Sequence, residues 1–167
     1  MRVARTVKRP GWTQTASPSL GADVAAAPRD ARIEANDDAS LLEVVRRELG
    51  LRAAARGCQD GSCGSCRVLV DGAIVNACAL AWRDVADGAI VEAYEDVAGD
   101  PEARRVVDAF SSERPTRCRL CVAGLGVTAV SLARRGASGD RDAIAAAIGD
   151  ATCMCTGRGS WRRALGK

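Results

Sequence analysis

The sequence predicts an α+β chain, with a small mixed half up to about residue 98 and an all-helical half after it. Three observations predict this. Asp71-Gly72 lies between two short apolar runs, 67–70 and 73–75. That pattern marks a tight hairpin, because both central residues of the turn need positive φ. From Asp100 onward, apolar residues recur at helical spacing, with capping residues in front and glycines behind. The eight cysteines fall into two groups of different spacing, one in each half.

The elements follow in order. Residues 1–20 mix Lys, Arg, Pro, Ser and Thr without apolar periodicity and read as a flexible extension, or as an arm that docks a partner. Residues 22–36 suggest two short strands around Pro28-Arg29-Asp30. Ser40 and Glu43 fit a capping box. Leu41, Leu42, Val45 and Leu49 then share a helical face, and Gly50 stands just past the end. A Gly- and Cys-rich loop covers 57–66, the Asp71-Gly72 hairpin follows, and 89–94 reads as a further strand.

The composition changes at 98–100. Asp100 can cap a helix with Pro101 in its first position and Val106, Val107 and Phe110 on its apolar face. A longer helix is predicted from about 120 to 135, ended by Gly136. A third runs over 141–148 between Asp140 and Gly149, and a short last one carries Trp161 and Leu165. The predicted units are therefore 1–20, 21–98 and 99–167.

Composition narrows the function. Apolar residues make up 47% of the chain, enough for a packed core, but aromatics only 3%, so Ala, Val, Leu and Ile must fill it. The net charge of +3 comes from interspersed acids and bases, which argues against a nucleic-acid surface. No apolar run reaches the roughly 18 residues of a membrane span, and the start lacks the apolar stretch of a secretory signal. The expectation is a cytoplasmic protein. In a reducing compartment, clustered cysteines point to metal or redox chemistry rather than disulfides.

Cys58, Cys63 and Cys66 have the spacing C-x4-C-x2-C, and Cys78 follows after eleven residues. That is the spacing of plant-type ferredoxins. A [2Fe–2S] unit needs two thiolates on each iron. Three come from a loop that wraps it and the fourth from a neighbouring segment. Gly57, Gly61 and Gly64 let backbone N–H groups approach the sulfurs. The alternatives are a zinc site, which prefers two similar cysteine pairs, and a disulfide loop. The second group, Cys118, Cys121, Cys153 and Cys155, is less specific alone, and zinc could use it. Both of its pairs stand at predicted helix starts, where negative charge is favoured.

Together the two groups resemble the small iron–sulfur subunit of the xanthine oxidase family of molybdenum hydroxylases, of which carbon monoxide dehydrogenase and isoquinoline oxidoreductase small subunits are examples. The resemblance rests on 57–66, Val68-Leu69-Val70-Asp71-Gly72, Asn76-Ala77-Cys78, Cys118-x2-Cys121 and Cys153-Met154-Cys155-Thr156-Gly157. It implies a ferredoxin-like (β-grasp) domain followed by a four-helix-bundle domain, each with a [2Fe–2S] cluster. It also implies a large subunit holding molybdopterin, a medium subunit holding FAD, and a complex that can be a dimer of heterotrimers.

In that arrangement Cys118, Cys121, Cys153 and Cys155 face the pterin, and Cys58, Cys63, Cys66 and Cys78 face the flavin. Substrate is hydroxylated at molybdenum with water as oxygen source, and this chain relays electrons without a catalytic residue of its own. The absence of histidine fits that role and excludes Rieske-type ligation. A free two-cluster electron carrier is the alternative.

The chain departs from the family around the second group. The family motif usually reads Gln-Cys-Gly-Phe-Cys, and here it is Arg117-Cys118-Arg119-Leu120-Cys121. The family glutamine contacts the pterin with an amide that donates and accepts, whereas Arg117 only donates. Cys155 matches the other pterin-adjacent position. Met154 stands where Arg is usual and Arg158 where Tyr is usual. Arg117 and its neighbours either adjust to a different cofactor form or raise the cluster potential, or they are neutral substitutions in a tolerant interface. The C-terminal cations Arg158, Arg162, Arg163 and Lys167 read as a solvated helix face or a docking surface.

Overall fold

The computed structural model describes residues 1–9, 30–112, 120–149, 151 and 157–166. The element order is β1 (Arg2–Lys8), β2 (Asp30–Asn36), α1 (Leu41–Arg47), β3 (Arg67–Val70), β4 (Ala73–Asn76), β5 (Val91–Glu92), α2 (Tyr94–Val97), α3 (Pro101–Ser112), α4 (Val122–Arg134), α5 (Arg141–Ile148) and α6 (Gly157–Leu165). Mixed first half and helical second half are as the sequence predicts.

The expected extension is corrected at its start. Residues 2–8 form β1, antiparallel to β2 in the register Arg2↔Asn36 to Lys8↔Asp30. Val7, Ile33 and Ala35 of this pair are buried. Val3 and Val7 alternate with exposed positions, but Arg5 and Thr6 between them hide the period of two. β2 pairs with β1, and the strand expected before Pro28 falls outside the described residues. Lys8 N–H donates to the Ala89 carbonyl (2.9 Å), and Gly88 N–H donates to that of Thr6 (2.8 Å), which joins β1 to the segment before β5.

α1 starts as predicted. The Ser40 hydroxyl accepts from Glu43 N–H (3.3 Å) and the Glu43 carboxylate accepts from Ser40 N–H (3.0 Å). Leu41, Leu42, Val45 and Leu49 pack with Leu51, Val68, Trp82 and Val91 in the first core. The β3–β4 turn has Asp71 at φ 49° and Gly72 at φ 79°, the mirror-image turn that hairpin twist requires.

The strand expected over 89–94 is shorter. Only Val91–Glu92 pair with β3, through Val70↔Val91 and Leu69↔Glu92. The Asp96 carboxylate accepts from Ala93 N–H (2.8 Å) and turns the chain into α2. Asp96 also forms a buried ion pair with Arg9.

In the second half, the Asp100 carboxylate accepts from Glu102 N–H (2.9 Å) at the head of α3. Asp140 accepts from the amides of Asp142 and Ala143 at the head of α5. α3 packs on α4 and α6, and α5 on α4 and α6. Their core holds Val106, Phe110, Leu125, Ile148 and Trp161.

The two halves are not separate in space. α4 lies on β3, and Leu69 shares a core with Val97, Ala103, Val127 and Val130. Contact at the helix surface is extreme at Gly124, where a Cβ would stand 1.9 Å from the Gly64 carbonyl oxygen. Arg134 of α4 grips Glu92 of β5 with both Nη atoms, at 2.7 and 2.9 Å. Among the described residues, no helix is long and apolar enough to cross a membrane.

Candidate iron–sulfur centre

The loop between α1 and β3 carries three of the first four cysteines, and the turn after β4 carries Cys78. The backbone N–H of Cys63 donates toward Cys58 Sγ (3.4 Å), and Cys66 Sγ lies 3.3 Å from Cys78 Sγ. The chain thus brings Cys63 to Cys58 through a backbone amide and Cys66 to Cys78 through their sulfurs. Pairing two by two is what a two-iron unit asks of its ligands. Two thiolates on one tetrahedral ion at about 2.3 Å stand about 3.7 Å apart, close to the Cys66–Cys78 spacing. A disulfide would need about 2.05 Å, and all four thiols are free.

The electrostatics favour a cation among them. Burial pushes the Cys78 thiol up to about 12, and the neighbouring Cys66 and Cys58 sulfurs add to the effect. Burial also acts to raise Cys63, but hydrogen bonding with the Ser65 side chain and backbone and with Cys58 outweighs it and leaves that thiol lowered. Four thiols this close resist common ionisation unless metal charge compensates them. The backbone leaves the necessary room. A Cβ on Gly57 would stand 2.6 Å from Ser65 Oγ and 2.9 Å from Cys63 Sγ. The residues present thus fit a thiolate-bound iron–sulfur group.

The loop is pinned from both sides. Asp60 accepts from Ser62 N–H (3.1 Å) and Ser62 Oγ–H (2.7 Å). The Ser62 hydroxyl is the main cause holding the Asp60 carboxyl down to about 2. Asn76 Nδ2 donates to the Gly61 carbonyl (3.0 Å), and Ser65 Oγ donates to that of Ala55 (2.8 Å).

Residues 24–93 match the family described as the 2Fe-2S iron-sulfur cluster binding domain. The chain is 30% identical over 118 residues to the nicotine 6-hydroxylase small subunit of Paenarthrobacter nicotinovorans, covering 71% of this chain and 70% of that one. It is 31% identical over 120 residues to the xanthine dehydrogenase iron-sulfur-binding subunit of Escherichia coli O157:H7, covering 70% and 74%. The chain belongs to the small iron–sulfur subunits of the xanthine oxidase family of molybdenum hydroxylases.

The aldehyde oxidoreductase of Megalodesulfovibrio gigas matches this iron–sulfur subunit at 33% identity over 107 residues, but the match spans only 12% of that much longer protein. Among solved structures, the fold is shared with the aldehyde oxidoreductase of Desulfovibrio desulfuricans (TM-score 0.73, 23% identity, 98% of this chain and 16% of that one). It is also shared with quinoline 2-oxidoreductase of Pseudomonas putida (TM-score 0.70, 23% identity, 100% and 91%).

Of the second group in this subunit, Cys121 is buried at the position before α4, against the helical core. Arg117, Cys118, Cys153 and Cys155 lie outside the described residues. Two residues beside the first group escaped the sequence reading. Ser65 reaches Cys63 Sγ at 3.0 Å. Arg67, next to Cys66, is buried, with Nη1 donating to Thr128 Oγ1 (3.0 Å) and Nη2 to the Ile148 carbonyl (2.7 Å). A signal for Arg67 exists in the sequence: a cation opening an otherwise apolar strand, Val68-Leu69-Val70.

Proposed function

We propose that this chain relays electrons within a molybdenum hydroxylase complex through two [2Fe–2S] clusters. Cys58, Cys63, Cys66 and Cys78 would hold the flavin-side cluster, and Cys118, Cys121, Cys153 and Cys155 the pterin-side one. The observation that carries the reading is the approach of Cys63 to Cys58 and of Cys66 to Cys78 around a glycine-lined loop. A cluster bound there supplies a one-electron store whose potential depends on the donors around it. This chain's part is to hold the thiolates, to point N–H groups at them, and to exclude water.

Cys63 and Cys66 are buried, which serves the last of these. The Cys63 amide serves the second. For the second ligand set, the support is the buried Cys121 at the head of α4 together with the family pattern. The domain reading is a ferredoxin-like unit over 21–98, to which β1 adds residues 2–8, and a four-helix bundle over 99–167 built from α3 to α6.

The partners in this reading are a large subunit with molybdopterin, near Arg117 and Cys155, and a medium subunit with FAD. The names of relatives as small subunits support such partners. A dimer of such heterotrimers in the cytoplasm is the assembly proposed. Purification from the native host tests the reading. Co-elution with a molybdenum-containing chain and a flavin-containing chain is expected. Isolation as a lone monomer under gentle conditions would favour the free two-cluster carrier.

A further inference from the structure

Arg67 carries a charge in a place where charge is costly. Only 5% of its surface is exposed. It has no carboxylate partner among the described residues: Nη1 and Nη2 donate to a hydroxyl and a carbonyl, and Nε, buried, has no acceptor. The guanidinium lies 5.3 Å over the Trp161 ring. Burial of an unpaired cation is unfavourable by several kcal/mol unless negative charge stands nearby. Arg67 directly follows Cys66, so the thiolates of the ligand loop are the negative groups at hand. A guanidinium is a cation throughout the neutral range.

The side chain is also fixed in direction. It leaves the first ligand loop and enters the helical half, between Thr128 on α4 and the last carbonyl of α5. Its orphan Nε faces the loop: a Cβ on Gly64 would stand 3.1 Å from it. Thr128 in turn donates to the Gly124 carbonyl (2.7 Å), which leaves its oxygen free to accept from Arg67.

We infer that Arg67 is a positioning residue for the relay, its buried charge raising the potential of the Cys58/Cys63/Cys66/Cys78 cluster. This rests on the reading of those four cysteines as cluster ligands. The step concerned is addition of one electron, delivered by the relay itself. No bond forms or breaks and no proton is needed. The added negative charge is met by a cation already in place, and low dielectric makes that attraction stronger than it would be in water.

The test uses the complex purified with its partner subunits. Both clusters are titrated by EPR at controlled potential in the wild type and in R67Q, R67M and R67K. In R67Q and R67M the first cluster's reduction equilibrium is expected to move at least tenfold toward the oxidised form, about 59 mV for one electron. The second cluster should move less. R67K keeps the charge without the two-pronged grip and is expected to fall between. An intact first-cluster signal with unchanged potential in R67Q overturns the inference. So does an equal shift in R67K and R67Q, which would mark a packing role.

If neither neutral variant retains the first cluster, R67K decides alone. A shift of less than tenfold in its reduction equilibrium, with the charge retained, supports the inference, and a tenfold or larger shift overturns it. Absence of any first-cluster signal in the wild type would instead sink the ligand reading.

Discussion

Replacing Gly124 by alanine sets two effects of α4 against each other. Alanine favours the helix by about 1 kcal/mol over glycine. Its methyl, however, would stand 1.9 Å from the Gly64 carbonyl oxygen and 2.9 Å from the Gly64 carbonyl carbon, both backbone atoms of the cysteine loop. Neither is the end of a flexible side chain that can swing aside. α4 and the loop would have to part by about 1 Å, and overpacking of this kind costs about 3 kcal/mol at the upper end of its range.

The net loss for G124A is therefore about 2 kcal/mol, which for a chain of this size lowers Tm by about 4–8 °C. Because Gly64 lies between Cys63 and Cys66, bleaching of the visible cluster absorbance should quicken along with unfolding. Thermal unfolding followed by circular dichroism and by that absorbance gives both readouts. G159A on α6 is the control. Its Cβ would meet only the tip of Arg163, at 3.3 Å, so it is expected to be neutral or slightly stabilising. A G124A protein as stable as G159A would refute the close approach of α4 to the loop.

Further expectations follow from the same geometry. C78S should abolish the first cluster's EPR signal and spare the second, while C155S should do the reverse; loss of both signals in either variant would contradict the division of ligands. Asp60 titrates near 2, so its hold on Ser62 is complete above the ordinary carboxylate range and is lost only as pH falls through about 2. D60N should therefore speed cluster loss by a constant factor from pH 7 down to pH 4; a factor that fades near pH 4 would show an unshifted carboxyl. R134A leaves the buried Glu92 carboxylate without its two donors. It should cost about 1–3 kcal/mol, read as a lower midpoint in denaturant, and no change there would make the clamp incidental.

Much of the fold was legible where a local rule acts alone. Ser40 with Glu43, Asp71-Gly72 and Asp140 with Gly149 each mark an element end by a hydrogen bond or a backbone angle within a few residues. β1 was not legible because its partners are 22 to 34 residues away and its exposed ends carry cations. α2 was hidden by Asp96, whose reach back to Ala93 N–H turns a predicted strand into a helix.

The approach of Cys63 to Cys58 could be read from spacing, since one continuous loop carries them. Arg67 could not, because its partners Thr128 and Ile148 come from elements far along the chain, and only the packing of α4 on β3 brings them to it.

The central claim is that this one chain holds two [2Fe–2S] clusters. Iron and acid-labile sulfide analysis of the purified complex, with EPR of its dithionite-reduced form, tests that claim most directly. About four iron and four sulfide per copy of this chain, with two distinct signals, are predicted. About two of each with one signal, or bound zinc in a colourless protein, would contradict it.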